Sequence, residues 1–426
     1  MLCPKCGRTS SCDKPSCPLK ARELFAKTTN FSYKKDFSGT TPNVFVGHFG
    51  YPNINVGLLS TDFSSEIIVS DQESTKCETK KDDIDNPLKW SRDNYDINTI
   101  VNLRTTLINS RFKSKIDSPR TTIKNKFSDL SKEISLSPRN VDTEINLKEK
   151  PMLRMSFNAE ASPHGPSSAL VNAQLSENVR VPTKVDKIVS DVDYKAGNAL
   201  NELYKHNFDE HYLTKILSVG NLGVKTQRKL VPTRWAITAV DDSVGKGVLE
   251  EVKRYSNTTG YLAYYGGYLE NYFLALFFPG EWSYEFFETF SFDMDSEYPG
   301  RNVKSESDYE GYNGRKEYAK ETAGGYYASR LPVMEHLKSM KRQGSVLLMR
   351  FITKDYFASL GVWVVRESVK KTLSNKPIEF GSQELMMVYA KKLIMKKFRY
   401  DISNLLQQSR LLDYRKKQKR LGEYDI

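Results

Sequence analysis

The chain has 426 residues and a formal charge of +12 at neutral pH, with a pI near 9.1. That length suits two or three domains with a sizeable core, and the excess of Lys and Arg favours a polyanionic partner. No signal-peptide pattern opens the sequence, and its most apolar run, residues 272–279, is too short to cross a bilayer; the expectation is a cytoplasmic protein rather than a membrane one.

Cys3, Cys6, Cys12 and Cys17 crowd the first residues, and Cys77 stands apart. In a reducing compartment four clustered thiols read as a metal site before they read as disulfides. Cys3-x-x-Cys6 makes a tight knuckle with Gly7 able to turn after it, and the Cys12–Cys17 pair is looser but within ligand spacing. Four thiolates without histidine predict a closed, structural zinc site; an unmetallated or redox-active arm is the alternative.

Residues 19–26 suit a short basic helix. In residues 43–60, Gly47, Gly50 and Gly57 alternate with Phe45, Phe49 and Tyr51. Such a pattern forms either a hairpin with aromatic packing or a loop that presents His48, Asn53 and Asn55 to a ligand. It fits neither a Walker loop nor a dinucleotide fingerprint. Residues 61–86 read as a polar insertion. Ile97, Ile100, Val101, Leu107 and Ile108 share a helical face that also holds Arg104, an arginine suited to a buried pair or to a phosphate clamp. Residues 111–150, rich in Lys and Ser, read as a long surface excursion, and His164 tips a tight loop. Ala196, Ala199, Leu200, Leu203 and Tyr204 line an amphipathic helix, for which Asp191 and Asp193 are natural caps.

Residues 225–242 join a basic cluster to a short apolar run. Lys225, Arg228 and Lys229 precede Pro232, and Arg234 follows it. Trp235, Ile237, Ala239 and Val240 have the length of a buried strand, which Asp241 and Asp242 end. Ser243 then caps a helix carrying Val244, Val248 and Val252 on one face. The segment is either a binding element held at a strand end or a solvated loop feeding a core strand. Asp241 and Asp242, with His48 or with Asp191 and Asp193, are also the candidate ligands or catalytic groups for Mg²⁺ or Mn²⁺.

Residues 274–278 read as a buried strand, and the aromatic residues around them as core. Gly324 and Gly325 interrupt a helical stretch near Arg330. Arg315, Arg330, Arg350 and Arg366 recur near element ends, and with Arg228, Lys229 and Arg234 they make a candidate phosphate groove. Helix and strand segments alternate without a regular βαβ repeat, so the fold class is α+β (mixed α/β) with the N-terminal zinc knuckle and a C-terminal helical tail. The tail is helical from residue 383 to about 412 and strongly basic from Arg415.

Several segments resemble the Nre family of archaeal DNA repair proteins, keeping its order over nearly the whole chain. They are Phe45-Val-Gly-His-Phe-Gly-Tyr-Pro-Asn-Ile-Asn-Val-Gly57, His164-Gly-Pro166, Arg228-Lys-Leu-Val-Pro-Thr-Arg-Trp-Ala-Ile-Thr-Ala-Val-Asp-Asp242, Pro279-Gly-Glu-Trp-Ser283, Gly324-Gly-Tyr-Tyr-Ala-Ser-Arg330 and Gly361-Val-Trp-Val-Val-Arg366. The N-terminal cysteines and the tail point to its NreA branch. The resemblance implies a zinc knuckle over residues 1–25, an N-terminal domain over 26–290, a C-terminal domain over 291–410 and a tail over 411–426.

Within that tail Gln418, Leu421 and Tyr424 stand at positions one, four and seven, like a PIP box, the peptide that docks on the PCNA sliding clamp. One helical turn brings the three to one side, and the preceding cations suit an acidic ring. The usual motif has a second aromatic at position eight, where this chain has Asp425. The expected function is therefore a DNA repair protein tethered to PCNA that meets DNA or nucleotide phosphate through its basic residues. The alternative is a metal-dependent nuclease or other phosphoester-processing enzyme, and no catalytic motif decides between them.

Overall fold

The computed structural model describes residues 33–62, 84–121, 125–152, 165–294, 296, 299–300 and 303–417. The proposed helix at 19–26, the thiols Cys3, Cys6, Cys12, Cys17 and Cys77, His164, and the tail residues Gln418, Leu421 and Tyr424 lie outside the described residues. The fold mixes helices and sheets, as the alternation in the sequence predicts. It divides into two compact units, residues 1–244 with 358–361 and residues 245–357 with 362–426.

In chain order the first unit contains β1 (Asp36–Thr41), β2 (Asn43–Val46), β3 (Asn53–Ser60), α1 (Pro87–Arg92), α2 (Ile97–Thr105), β4 (Ile108–Lys115), α3 (Lys126–Leu136), β5 (Val141–Leu147), β6 (Ser167–Leu175), α4 (Thr183–Ser190), α5 (Ala196–Lys205) and α6 (Glu210–Ser218). Helix α7 (Thr233–Val252) begins here, and the division between units falls within it. The six strands form one sheet in the order β1-β5-β6-β4-β3-β2. Only β4 and β6 run parallel; the other pairs are antiparallel. One sheet face is apolar because side chains alternate along each strand: Ile54, Val56, Leu58, Ile108, Phe112, Ile145 and Leu147 pack with Leu130 and Ile134 of α3.

The glycine-spaced segment is a hairpin, β2 pairing with β3. At Gly57 a Cβ would lie 1.8 Å from Asn109 Oδ1, so a larger residue there would have to displace that side chain. The turn carries Gly50 at φ +82°, and its aromatic side chains stay out of the core, with Phe49 78% and Tyr51 51% exposed.

Several expectations change. The segment read as a strand at 235–240 is helical, part of the 20-residue α7. Ala236, Val240, Val244, Val248 and Val252 are all buried, one ridge of residues four apart along the helix. The stretch 111–150 is no surface excursion. It supplies most of β4 with α3 and β5, and its inward positions are filled partly by Ser114, Ser128, Ser131 and Ser135. Asp191 and Asp193 do not cap α5, whose N-cap is Lys195. Asp191 follows α4, and its Oδ1 accepts from the Asp193 amide at 3.0 Å.

Lys215 of α6 is buried and donates to the carbonyls of Ser137 at 2.7 Å and Pro42 at 3.4 Å, tying the β1–β2 corner to the end of α3. Burial pulls its ammonium down from 10.5 to about 8, against the pull of Asp209 and Asp85. Between those two values the unfolded chain holds a proton that the folded chain does not, so folding gains stability as pH rises through the window. Urea titrations should show wild type gaining on a Lys215→Met variant by on the order of 3 kcal/mol across that window. A gap between the two that does not move with pH would show that Lys215 titrates normally.

The second unit holds β7 (Ser256–Asn257), β8 (Tyr261–Tyr268), β9 (Asn271–Phe278), β10 (Ser283–Phe292), β11 (Lys304–Glu310), α8 (Ala323–Ser339), β12 (Arg342–Gln343), β13 (Ser345–Thr353), α9 (Trp363–Ser374), β14 (Ile378–Phe380), α10 (Gln383–Phe398), α11 (Ser403–Gln408) and α12 (Arg410–Lys417). Its main sheet runs β11-β10-β13-β9-β8-β14, with β10 and β13 parallel. Every residue of β13 is buried, as expected of a strand covered on both faces. Leu274, Leu276 and Phe278 meet Met386, Ala390, Ile394 and Phe398 of α10. The alternate residue Phe277 instead packs against His336 of α8, ring centroids 5.8 Å apart. The single helical tail expected from residue 383 is three helices, broken first at Arg399, where φ is +48°.

Candidate nucleic-acid interface

In the first unit the segment before α7 is threaded between neighbours. Leu230 N donates to Ile116 O at 2.7 Å and Val231 N to Ser218 O at 2.8 Å. Pro232 O receives the amides of Trp235 at 2.8 Å and Ala236 at 2.9 Å, which starts the helix. Thr233 Oγ1 accepts from Val46 N at 2.9 Å, so the hairpin and the head of α7 are joined directly. The rings of Tyr51 and Trp235 consequently lie 6.1 Å apart, and Trp235 is 48% exposed.

The cations of this segment have two fates. Arg228 turns inward, donating from Nε to Gly223 O at 2.7 Å and from Nη2 to Val189 O at 2.8 Å and Asp191 O at 3.2 Å. Lys229 and Arg234 are exposed. Neither side chain has an ion pair, hydrogen bond or ring contact to any described residue.

Beside them runs a basic row that the sequence reading did not isolate. On β4, Arg111, Lys113 and Lys115 are exposed while Phe112 is buried and Ser114 is turned inward. Their partners on β3 are Gly57, Asn55 and Asn53, and both asparagines are exposed. All therefore share the sheet face opposite the apolar core. Ile116, next after the row, donates its amide to Pro52 O at 3.0 Å, which sets Lys115 beside the Tyr51 turn. The signal was present as Arg-x-Lys-x-Lys at strand spacing, but the surrounding serines concealed the strand.

The candidate metal or catalytic groups are placed differently. Asp241 is buried in the third turn of α7, at 1% exposure, and Asp242 is half-buried. His48 sits in the hairpin turn, its ring 3.9 Å from that of Phe49. Among the described residues, no three His, Cys, Asp or Glu side chains come together as a metal-binding group.

Arg104 is engaged within the same unit. It stacks over Trp90 at 5.3 Å, donates to Leu360 O at 2.9 Å and lies 3.8 Å from Asp85. Asp85 also accepts from Asn43 Nδ2 at 2.8 Å. His211 stands 3.9 Å from the same carboxylate, and burial pushes its pKa down despite that neighbour.

In the second unit the arginines singled out as phosphate ligands meet carboxylates. Arg330, 2% exposed, donates from Nε to Glu310 Oε1 at 2.7 Å, which also receives Trp282 Nε1 at 2.9 Å. Arg315 pairs with Asp308 at 3.1 Å, donates to Tyr309 O at 2.9 Å and lies over the Tyr326 ring. Arg350 pairs with Glu288 and donates to Asn271 Oδ1.

The tail leaves this unit from a fixed point. Glu285, buried on β10, accepts from Ser409 Oγ and from the amides of Arg410 at 2.9 Å and Leu411 at 3.0 Å, capping α12. Burial pushes this carboxyl up, and those hydrogen bonds work against the shift. Arg415 donates to Pro279 O at 2.9 Å and lies 4.9 Å over the Phe278 ring. Gln418, Leu421 and Tyr424 follow within nine residues of that anchor.

Comparison with known proteins gives two family matches, to Archaeal Nre, N-terminal, over residues 11–293 and to Archaeal Nre, C-terminal, over residues 310–424. A protein named DNA repair protein NreA from Haloferax volcanii is 35% identical over 340 residues, covering 78% of this chain and 77% of its own. From Archaeoglobus fulgidus, DNA repair protein NreB is 30% identical over 425 residues, spanning the whole of both chains. DNA repair protein NreA of the same organism is 30% identical over 395 residues, covering 93% of this chain and 94% of its own. No solved structure matches. With the two family matches following one another along the sequence and a relative aligned from end to end, the chain belongs to the archaeal Nre family.

Proposed function

We propose that this chain is a DNA repair protein, of the NreA type, that docks on the PCNA ring through Gln418, Leu421 and Tyr424 and holds DNA phosphate with Lys229 and Arg234. The repair role follows the names of the aligned relatives. The observation that carries the docking reading is the anchoring of α12: Glu285 and Arg415 pin the helix, and the docking residues begin directly after Lys417. A motif launched from a fixed helix loses less freedom on binding than one on a long free arm. Tethering raises the local concentration of DNA, so a few phosphate contacts suffice.

Cys3, Cys6, Cys12 and Cys17 would hold a structural zinc ion, whose four-thiolate donor set closes the site to catalysis. No helix among the described residues is long and apolar enough to cross a membrane, and a cytoplasmic location suits the proposed partners. The alternative of Mg²⁺- or Mn²⁺-dependent phosphoester cleavage would need Asp241, Asp242 and His48 to meet a substrate, although Asp241 faces the interior.

The test is surface-plasmon-resonance binding of the full chain to PCNA. Truncating two apolar anchors, Leu421→Ala with Tyr424→Ala, is expected to weaken binding by roughly 100-fold or more. Binding equal to wild type would remove the tail as the docking element.

A further inference from the structure

Among the described residues of the first unit, three exposed rings and the cations around them are not used by clamp docking. Phe49, Tyr51 and Trp235 are exposed large aromatics on two elements locked together by the Thr233–Val46 hydrogen bond. A soluble surface ordinarily hides such rings, and three in one neighbourhood mark a binding site. Tyr51 and Trp235 are tilted by 53° to one another, so their faces are not closed against each other in a stack.

The charge around these rings narrows the occupant. Lys113 and Lys115 make no contact with a described carboxylate, and neither do Lys229 and Arg234. Successive outward residues of a strand lie about 6.8 Å apart, so Arg111, Lys113 and Lys115 form a regular track across the sheet, ending beside the Tyr51 turn. Asn53 and Asn55 stand next to this track, offering amide donors and acceptors. An apolar protein partner would leave those cations unpaired and desolvated, which is costly. A duplex presents phosphates but keeps its bases stacked inside, giving the rings nothing to cover. A single strand supplies both a polyanionic backbone for the track and exposed base faces for the rings.

We infer that this face of the first unit is a stacking platform for single-stranded nucleic acid, with Trp235 and Tyr51 holding unstacked bases and Lys113, Lys115, Lys229 and Arg234 following the phosphates. The inference deepens the proposed DNA-binding role and rests on it for the phosphate contacts.

The experiment is fluorescence anisotropy of labelled 15-mers, oligo-dT, oligo-U and a DNA duplex, with the full chain between 50 and 200 mM salt. Single strands are expected to bind more tightly than duplex. Trp235→Ala is expected to lower single-strand affinity about 5- to 100-fold, as for a lost stacked base, with little effect on duplex. Lys113→Ala with Lys115→Ala is expected to flatten the salt dependence of single-strand binding by about 1.4 in log–log slope. Trp90, Trp282 and Trp363 are buried, so quenching of tryptophan emission by bound oligonucleotide reports Trp235 and should vanish in Trp235→Phe.

Equal responses to dT and U identify the ligand as either nucleic acid; a preference identifies which, and both keep the platform. If neither single strand nor duplex binds at 50 mM salt, the platform and the DNA reading fall together. If DNA binds but duplex is preferred and Trp235→Ala changes nothing, the platform falls and the phosphate reading stands. Circular dichroism of Trp235→Ala, whose side chain lies half outside the core, separates lost stacking from lost folding.

Discussion

Replacing Arg330 with methionine is expected to destabilise the unit of residues 245–357 and 362–426 by about 3–5 kcal/mol. Glu310 is itself buried and receives Trp282 Nε1 in addition to Arg330. Removing the guanidinium strands a carboxylate where water cannot reach it, and the cost of an uncompensated buried charge exceeds the attraction that was lost. The double variant Arg330→Met with Glu310→Leu removes both charges and is expected to recover most of the loss. Urea unfolding of the two variants checks this. A single variant as stable as wild type would mean that Arg330 is not held as a structural ion pair and would return it to the list of phosphate ligands. In Lys229→Ala the pattern should be the reverse, with stability within about 0.5 kcal/mol of wild type and DNA affinity reduced.

In the first unit the largest loss is expected from Trp90→Ala, about 3–5 kcal/mol, the usual cost of deleting a large buried aromatic. Trp90 is fully buried in α1 and underlies Arg104, whose guanidinium lies 5.3 Å from its ring. Removing the indole leaves a cavity and also frees Arg104, which orders Asp85 and the carbonyl of Leu360. Trp90→Phe keeps a ring beneath the guanidinium and should lose well under half as much. Equal losses in the two variants would show that the cation–aromatic contact contributes nothing.

Much of the fold was legible where apolar residues keep one period. The helix with Ala199, Leu200 and Leu203 buried and the strand Asn271–Phe278 both appear at the expected places. The reading failed where polar residues occupy inward positions. Asp241 is buried inside α7, and taking it as the end of a strand hid that the helical row of Val244, Val248 and Val252 begins earlier, at Ala236 and Val240. Serines on the inner side of β4 and α3 had the same effect, because a seryl hydroxyl satisfied within the fold is indistinguishable in sequence from one in water. For the tail, the break at Arg399 depends on a left-handed backbone conformation that a non-glycine residue rarely adopts.

The candidate site divides in the same way. Arg228, Arg315 and Arg330 have the same composition-level signal as Lys229 and Arg234, yet the first three are spent on the interior. Their partners are brought by the fold: backbone carbonyls of residues 189, 191 and 223 for Arg228, Asp308 for Arg315, and Glu310, 20 residues away, for Arg330. Only chain folding brings such groups together.

The sequence by itself determined the family, through six ordered segments, together with the cysteine cluster, the basic excess and the periods of the regular elements. These are properties of neighbours along the chain, fixed by spacing and side-chain chemistry. The tertiary structure alone decided which cations face solvent and which are neutralised inside, and it set Tyr51, Trp235 and the Lys113–Lys115 track on one unit. Burial and charge pairing depend on groups arriving from distant strands, and a linear pattern has no term for that arrival.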